Sequence, residues 1–183
     1  STLEKAAQST DRLTHLANQL LSLARIERGA RAIAEGGAER VELGQLVREL
    51  GMALAPLAHQ RGVALALEAE EGVFIQGEPT LLNELVYNLV DNALAHAPQG
   101  GTVVRRVLAP ALLEVEDDGP GIPAQEREKV FERFYRRNPQ VGGAGLGLAI
   151  VGEICRAHLA QITLDEGRSG GLRVRVSFPL PPL

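Results

Sequence analysis

Three polar side chains in LLNELVYNLVDNALAH, 81–96, recur at i, i+4 and i+8: Glu84, Asn88 and Asn92. On a helix they share one face, while Leu82, Leu85, Val86, Leu89 and Ala93 share the face that seeks a core. Stacked side-chain amides can hold a metal through their oxygens and leave its charge for another ligand. Mg²⁺ suits that role, because it prefers oxygen and takes few protein ligands alongside phosphate. A solvated polar face is the plainer account of the same spacing. A second group is VEDDGPGIP, 115–123. Asp, Gly and Pro are ordinary turn residues, but glycine also lets a ligand approach the backbone closely. Asp117, followed by Gly119 and Gly121, is placed to accept a hydrogen bond from an amino group such as the exocyclic amine of adenine. A third is GGAGLGLAIV, 142–151. Glycines running into a helix start leave backbone N–H groups free for phosphate, although the spacing is not the dinucleotide fingerprint and no strand precedes it. Between the second and third lies KVFERFYRR, 129–137, whose Arg133, Arg136 and Arg137 could pair with phosphates. Phe131 and Phe134 could pin that segment to the body or simply be core.

The elements that must position these groups follow from periodicity. Residues 1–28 read as one helix, with Leu3, Ala6, Thr10, Leu13, Ala17, Leu20 and Ala24 at 3-4 spacing and Leu16 and Leu23 widening the stripe. RGARAIAEGGAER, 28–40, reads as a linker. A short strand at 41–43 then leads into a helix ending by Gly62, with Pro56 expected to kink it. VALALEAE and VFIQ read as strands. A helix follows over 79–97 with Pro79 in its first turn, then strands at 102–108 and 111–116. A further helix from near Gly145–Gly147 to about His158 precedes strands at 161–165 and 172–178. Helices and strands mix without strict βαβ alternation, which predicts an α+β two-layer sandwich: a mixed sheet covered on one face by helices.

Composition narrows the class. The 183 residues are 45% hydrophobic and only 3% aromatic, with no Trp, so the core must be Leu, Val, Ile and Ala. A net charge of −4 gives no sign of nucleic-acid binding. Cys155 is the only cysteine and reads as a small core residue, compatible with a reducing compartment. No apolar run reaches the ~18 residues of a membrane span, and no signal peptide is visible. The chain starts STLEKAAQSTDRL, without Met and already in a helical pattern, as expected of a cut inside a longer protein.

NLVDNA, DDGPGI, VFERFYR and GAGLGLAIV, in that order, resemble the ATP-binding domain of sensor histidine kinases of two-component systems, in the superfamily that also holds gyrase, heat-shock chaperone and mismatch-repair ATPases. The resemblance covers 41–183. RLTHLANQLLSLARIE is similar, less specifically, to the family's second dimerisation helix. It implies an incomplete dimerisation hairpin at 1–28, a linker at 29–40 and an ATP-binding catalytic domain at 41–183. It further implies that Asn92 binds Mg²⁺ with Asn88 assisting, that Asp117 reads adenine, and that Gly119, Gly121 and Ile122 flank the base. His96, Leu146 and Leu148 also line the nucleotide. Segment 122–144 is implied to be a lid. Gly143, Gly145 and Gly147 would cradle phosphates, with Arg133 and Arg136 beside the transferring group; Asn88 and Arg133 are the implied catalytic pair. Where the family often has Lys or Arg followed by Tyr, this chain has Ala95 and His96. Ala95 removes a possible phosphate contact, and His96 could stack or hydrogen-bond near the nucleotide instead.

A histidine kinase passes the γ-phosphate of ATP to a histidine in a pattern like Ser-His-Glu-Leu-Arg-Thr-Pro-Leu, for relay to a response-regulator aspartate. The histidines here are His15, His59, His96 and His158, and none has that context. His15 lies far round the helix from the Leu13–Ala17–Leu20 stripe and reads as a surface residue. The acceptor is therefore expected on a missing first helix. The implied partners are that helix, a response regulator and a second copy of the chain, and the implied location is the cytoplasmic side of an inner-membrane sensor. Two alternatives stand beside this: a hydrolytic ATPase of the same superfamily, and a nucleotide-binding interaction module. Against the first, the hydrolases carry a Glu one helical turn before the metal-binding Asn, and here that position is Asn88, an amide that takes no proton at neutral pH.

Overall fold

The computed structural model describes residues 2–133, 135 and 147–180. In chain order the elements are α1 (Thr2–Ala34), β1 (Glu39–Glu42), α2 (Leu43–Arg61), β2 (Ala64–Ala69), β3 (Phe74–Gly77), α3 (Pro79–His96), β4 (Thr102–Leu108), β5 (Leu112–Asp117), α4 (Gly147–Ala157), β6 (Gln161–Glu166) and β7 (Leu172–Ser177). Two short 3₁₀ turns, Ala124–Glu126 and Lys129–Phe131, lie between β5 and α4.

Five strands form the main sheet in the order β2-β4-β5-β7-β6, with β2 and β4 parallel and every other pair antiparallel. Helices α2, α3 and α4 pack on it, which gives the expected α+β two-layer arrangement. Strand alternation sets the two faces. Val103, Val107, Leu113, Val115, Val174 and Val176 are buried in one core with Leu82, Leu85 and Leu89 of α3 and Val151, Ile154 and Cys155 of α4. The opposite face carries charges of alternating sign across successive strands. Arg106 of β4 donates to Glu68 of β2 (2.7 Å) and to Glu114 (2.6 Å) and Glu116 (3.1 Å) of β5. Arg175 of β7 binds Glu114 at 3.0 Å and lies 3.4 Å from Asp165 of β6. A one-residue slip of register would drive these charges into the core, so the pairing is strongly specified.

The structure departs from the sequence reading in two places. First, β1 and β3 do not join the main sheet; they form a separate antiparallel pair, Val41 opposite Ile75. Second, α1 continues to Ala34 through residues read as linker. Ala and Arg dominate RGARAIA and favour helix, and Gly29 is tolerated because it sits against Leu81, where an ideal Cβ would come within 2.4 Å of Leu81 Cδ1. Helix α2 runs to Arg61 with Pro56 inside it and Gly62 at its end, as the sequence predicts. It is capped at one end by Glu42, whose carboxylate accepts from Gln45 N–H, and at the other by Gly62 in the left-handed region. Gly51, inside α2, leaves room for Arg105 beneath it. An ideal Cβ there would lie 1.6 Å from Arg105 Nη1, which donates to the Val47 carbonyl at 2.8 Å.

Candidate nucleotide site

Two pieces of chemistry meet at the C-terminal ends of β5 and α3. Asp117 ends β5 and is 3% exposed. Its Oδ1 accepts from Gly119 N–H (2.8 Å) and from Leu172 N–H at the start of β7 (3.4 Å). Both go to one oxygen, so among the described residues Oδ2 has no hydrogen-bond donor. Burial raises the Asp117 pKa above the ordinary carboxylate value and Asp118 adds to the rise, while the two backbone N–H groups and His96 oppose it. Neighbouring Asp118 is structural: its Oδ2 accepts from Thr102 N–H (2.7 Å) and ties the start of β4 to the end of β5.

Glycines shape the corner because the space admits nothing larger. A Cβ on Gly119 would sit 2.6 Å from the His96 carbonyl oxygen and 2.7 Å from Asp117 Oδ1. On Gly171, in the β6–β7 turn, it would sit 1.8 Å from the Asp117 carbonyl oxygen. Gly121 adopts a φ of +67°, a conformation glycine reaches at no steric cost. The contribution of the 167–171 turn is absent from the sequence reading, although its run of three glycines within five residues marks a tight connection between two strands. Ile122 packs against the core, and its carbonyl accepts from Arg127 Nε at 3.1 Å.

The second piece is the polar ladder of α3. Asn88 and Asn92 are half-buried. Asn88 Nδ2 donates to the Glu84 carbonyl at 2.7 Å, so its Oδ1 is the atom left for another partner, and it lies 3.5 Å from where a Cβ on Gly147 would stand at the start of α4. His96 Nδ1–H donates to the Asn92 carbonyl at 2.8 Å, which folds the exposed ring back along the helix. Among the described residues no group of three or more His, Cys, Asp or Glu could hold a metal. The fit for Mg²⁺ is thus a pair of amides, with a nucleotide supplying further oxygens, and Asn88, whose nitrogen rather than oxygen is engaged by Glu84 O, meets that requirement.

Glu84 lies apart from that role. Its Oε1 accepts from Ser22 Oγ of α1 at 2.7 Å, and Arg25 Nε stands 3.9 Å from its Oε2. Gly147 opens α4, where Leu148 is buried. Arg133, mostly exposed, is turned along α4 and lies 3.9 Å from Glu153. Phe131 packs against the core and Gly152. Phe134, Arg136, Arg137, Gly143, Gly145 and Leu146 lie outside the described residues.

The profile of the family described as histidine kinase-, DNA gyrase B-, and HSP90-like ATPases matches residues 77–182, which include both pieces of the site. The chain belongs to this family. Within it the similar proteins are sensor kinases. Sensor protein kinase PmrB of Pseudomonas aeruginosa is 37% identical over 97% of this chain and 38% of its own length. The solved mycobacterial sensor histidine kinase MprB is 30% identical, with a TM-score of 0.68 over 80% of this chain and 99% of that one. Full-length ShkA in complex with AMPPNP is 25% identical, with a TM-score of 0.75 over 96% of this chain and 38% of that one. This chain spans less than half the length of the curated relatives it matches first. It corresponds to the catalytic ATP-binding domain of sensor histidine kinases.

Proposed function

We propose that this domain presents ATP for transfer of its γ-phosphoryl group to a histidine outside these 183 residues, for relay to a response-regulator aspartate. In this reading Asp117 Oδ2 accepts from the adenine amine, and the glycines at 119, 121 and 171 let the base lie against the backbone. Asn88 and Asn92 present amide oxygens toward the phosphates. Mg²⁺ held there with the nucleotide would neutralise phosphate charge in the transition state. The acceptor imidazole nitrogen bonds to the γ-phosphorus as the bond to the β,γ-bridging oxygen breaks, and ADP leaves. The protein's contribution is positioning and electrostatics. Arg133 would have to leave Glu153 to reach the transferring group. The solved relative with AMPPNP bound supports a nucleotide triphosphate as ligand.

The observation that carries the choice of a kinase over a hydrolase lies one turn before Asn92. The residue there is an amide whose nitrogen is already engaged by Glu84 O. The carboxylate one turn further back is held by Ser22 of α1. An amide takes no proton at neutral pH, and Glu84 stands one turn too far back along α3 to act as general base for a water beside Asn92. A full-length dimer, with this domain on the cytoplasmic face of a membrane sensor, belongs to the same proposal. γ-Labelled ATP should leave no acid-labile label on this chain by itself and release phosphate no faster than background, while the full-length protein acquires label on a histidine outside the chain. Label on His15, or rapid phosphate release, would overturn the assignment.

A further inference from the structure

We infer that Glu84 is a positioning residue that couples the seating of α1 to the orientation of the Asn88 amide; this rests on the reading that Asn88 and Asn92 hold Mg²⁺ with the nucleotide. One residue faces both ways. Its side chain receives the buried Ser22 hydroxyl from a helix 62 positions away. Its main-chain carbonyl takes Asn88 Nδ2, at the same 2.7 Å. The turn of α3 that ties back the Asn88 nitrogen and leaves its Oδ1 on the Gly147 side is thus the turn on which α1 rests.

The seat is selective. Ser22, Ile26 and Gly29 lie on one face of α1 and are buried against the domain. Gly29 lets the helix approach Leu81 so closely that any side chain there would collide. Leu20, about 200° round the helix from Ser22 at ~100° per residue, remains 67% exposed. Hydrophobic burial alone would have turned the leucines inward. A mixed face is seated instead, the Ser22 hydroxyl and the bare Gly29 beside buried Ile26, and its polar contact can be undone because hydroxyl and carboxylate both recover water when the helix leaves. Among the described residues Glu84 Oε2 already lacks a hydrogen-bond partner in the seated state, with Arg25 held at 3.9 Å. A contact this reversible next to a ligand group makes docking and ligand binding reciprocal: what holds α1 down favours the metal-bound nucleotide, and the reverse.

The test measures ADP affinity by calorimetry with Mg²⁺ and again with EDTA, for the parent chain and for Ser22→Ala, Glu84→Ala, the double variant, Glu84→Gln and Gly29→Leu. Amide exchange over 22–34 reports whether α1 is seated. The parent must first lose affinity when Mg²⁺ is removed; if it does not, the metal reading fails and takes this inference with it. Given that dependence, Ser22→Ala, Glu84→Ala and Gly29→Leu should each speed exchange in α1 and weaken Mg²⁺-ADP binding by ~3- to 10-fold, the scale of one buried hydrogen bond. Affinity in EDTA should stay within about twofold. The double variant should lose no more than either single change, and Glu84→Gln, which keeps an acceptor for Ser22, should recover most of the loss. Gly29→Leu touches neither partner of the hydrogen bond, so it guards against a local folding defect at Glu84. An α1 that is released while Mg²⁺-ADP affinity holds, an equal loss in EDTA, or an α1 still protected in Gly29→Leu would each overturn the coupling.

Discussion

The Asp117 corner and the Asn88–Asn92 ladder face one site but are built in opposite ways. The corner is closed: a strand end, a turn and the β6–β7 connection meet with no room for one more carbon, and two backbone donors fix one carboxylate oxygen. The ladder is open: two half-buried amides on one helix face, one with its nitrogen tied back and its oxygen left for a ligand. A closed corner selects shape and a single hydrogen-bond donor, as recognition of a flat base requires. An open ladder tolerates a hydrated ion and a flexible phosphate chain. The difference teaches where rigidity is needed, and it also says how each half should fail.

The largest effect should come from filling the corner. Gly171→Ala places a methyl 1.8 Å from the Asp117 carbonyl oxygen, and overpacking of this kind costs about 1–3 kcal/mol, sometimes more. Thermal unfolding should show that loss, and nucleotide binding should fall with it. A variant as stable as the parent would mean the turn is free to move and the corner is not closed.

The next effect sets two terminal contacts of the frame against the site. His158 ends α4; its Nδ1–H donates to the Ile154 carbonyl (2.8 Å) and its Nε2 accepts from Glu78 N–H (3.1 Å) at the start of α3. Burial lowers its pKa below the ordinary imidazole value, against the opposing effects of the Ile154 carbonyl and Glu78. The sign follows: the neutral ring stabilises the fold above the unfolded value of about 6.5, and that contribution is lost as pH falls through the lowered folded value. His158→Leu strands a buried N–H and should cost ~1–3 kcal/mol. Denaturant titrations from pH 8 to 5 should find the parent's margin over this variant shrinking on acidification. A constant margin would remove the ring from the account.

A smaller effect distinguishes binding from folding at Asp117. Its folded pKa is raised, so it favours the fold below the unfolded value of about 3.9, and that contribution is lost as pH rises through the folded value. At neutral pH the ionised group therefore works slightly against folding. Asp117→Asn should melt no lower than the parent at pH 7 while binding nucleotide worse. A clear drop in melting temperature would make Asp117 a structural residue first.

Much of this was legible in the sequence, for identifiable reasons. The α3 pattern declared its core face because Leu82, Leu85 and Leu89 repeat at helical spacing, and the polar ladder fell on an adjoining face by the same arithmetic. Strands β4 and β5 showed as apolar runs bounded by turns. The corner was half legible: Asp117, Gly119 and Gly121 are contiguous, whereas Gly171 and Leu172 arrive from about 50 residues away through sheet register. The seating of α1 was not legible at all. Its leucine stripe announced an apolar face, but the seat is made by Ser22, Ile26 and Gly29, where one hydroxyl and one missing side chain count beside a single buried apolar residue. The separate β1–β3 pair was hidden for a similar reason, since four-residue strands carry no pattern that says which sheet they join.

The most direct test of the two-part site compares ADP affinity with Mg²⁺ and with EDTA in Asp117→Asn and Asn92→Ala, with Asp91→Ala on the neighbouring exposed position as control. Asp91 pairs with exposed Arg61 at 3.4 Å, a contact worth about 0–1 kcal/mol to the fold, so its loss should leave both affinities unchanged. Asp117→Asn should weaken binding by about 1–3 kcal/mol, the scale of a hydrogen bond to a charged group, and equally in both conditions, because the base contact does not depend on the metal. Asn92→Ala should weaken binding only when Mg²⁺ is present. Losses that track Mg²⁺ in Asp117→Asn, or that ignore it in Asn92→Ala, would contradict the division of the site into a closed base corner and an open metal ladder.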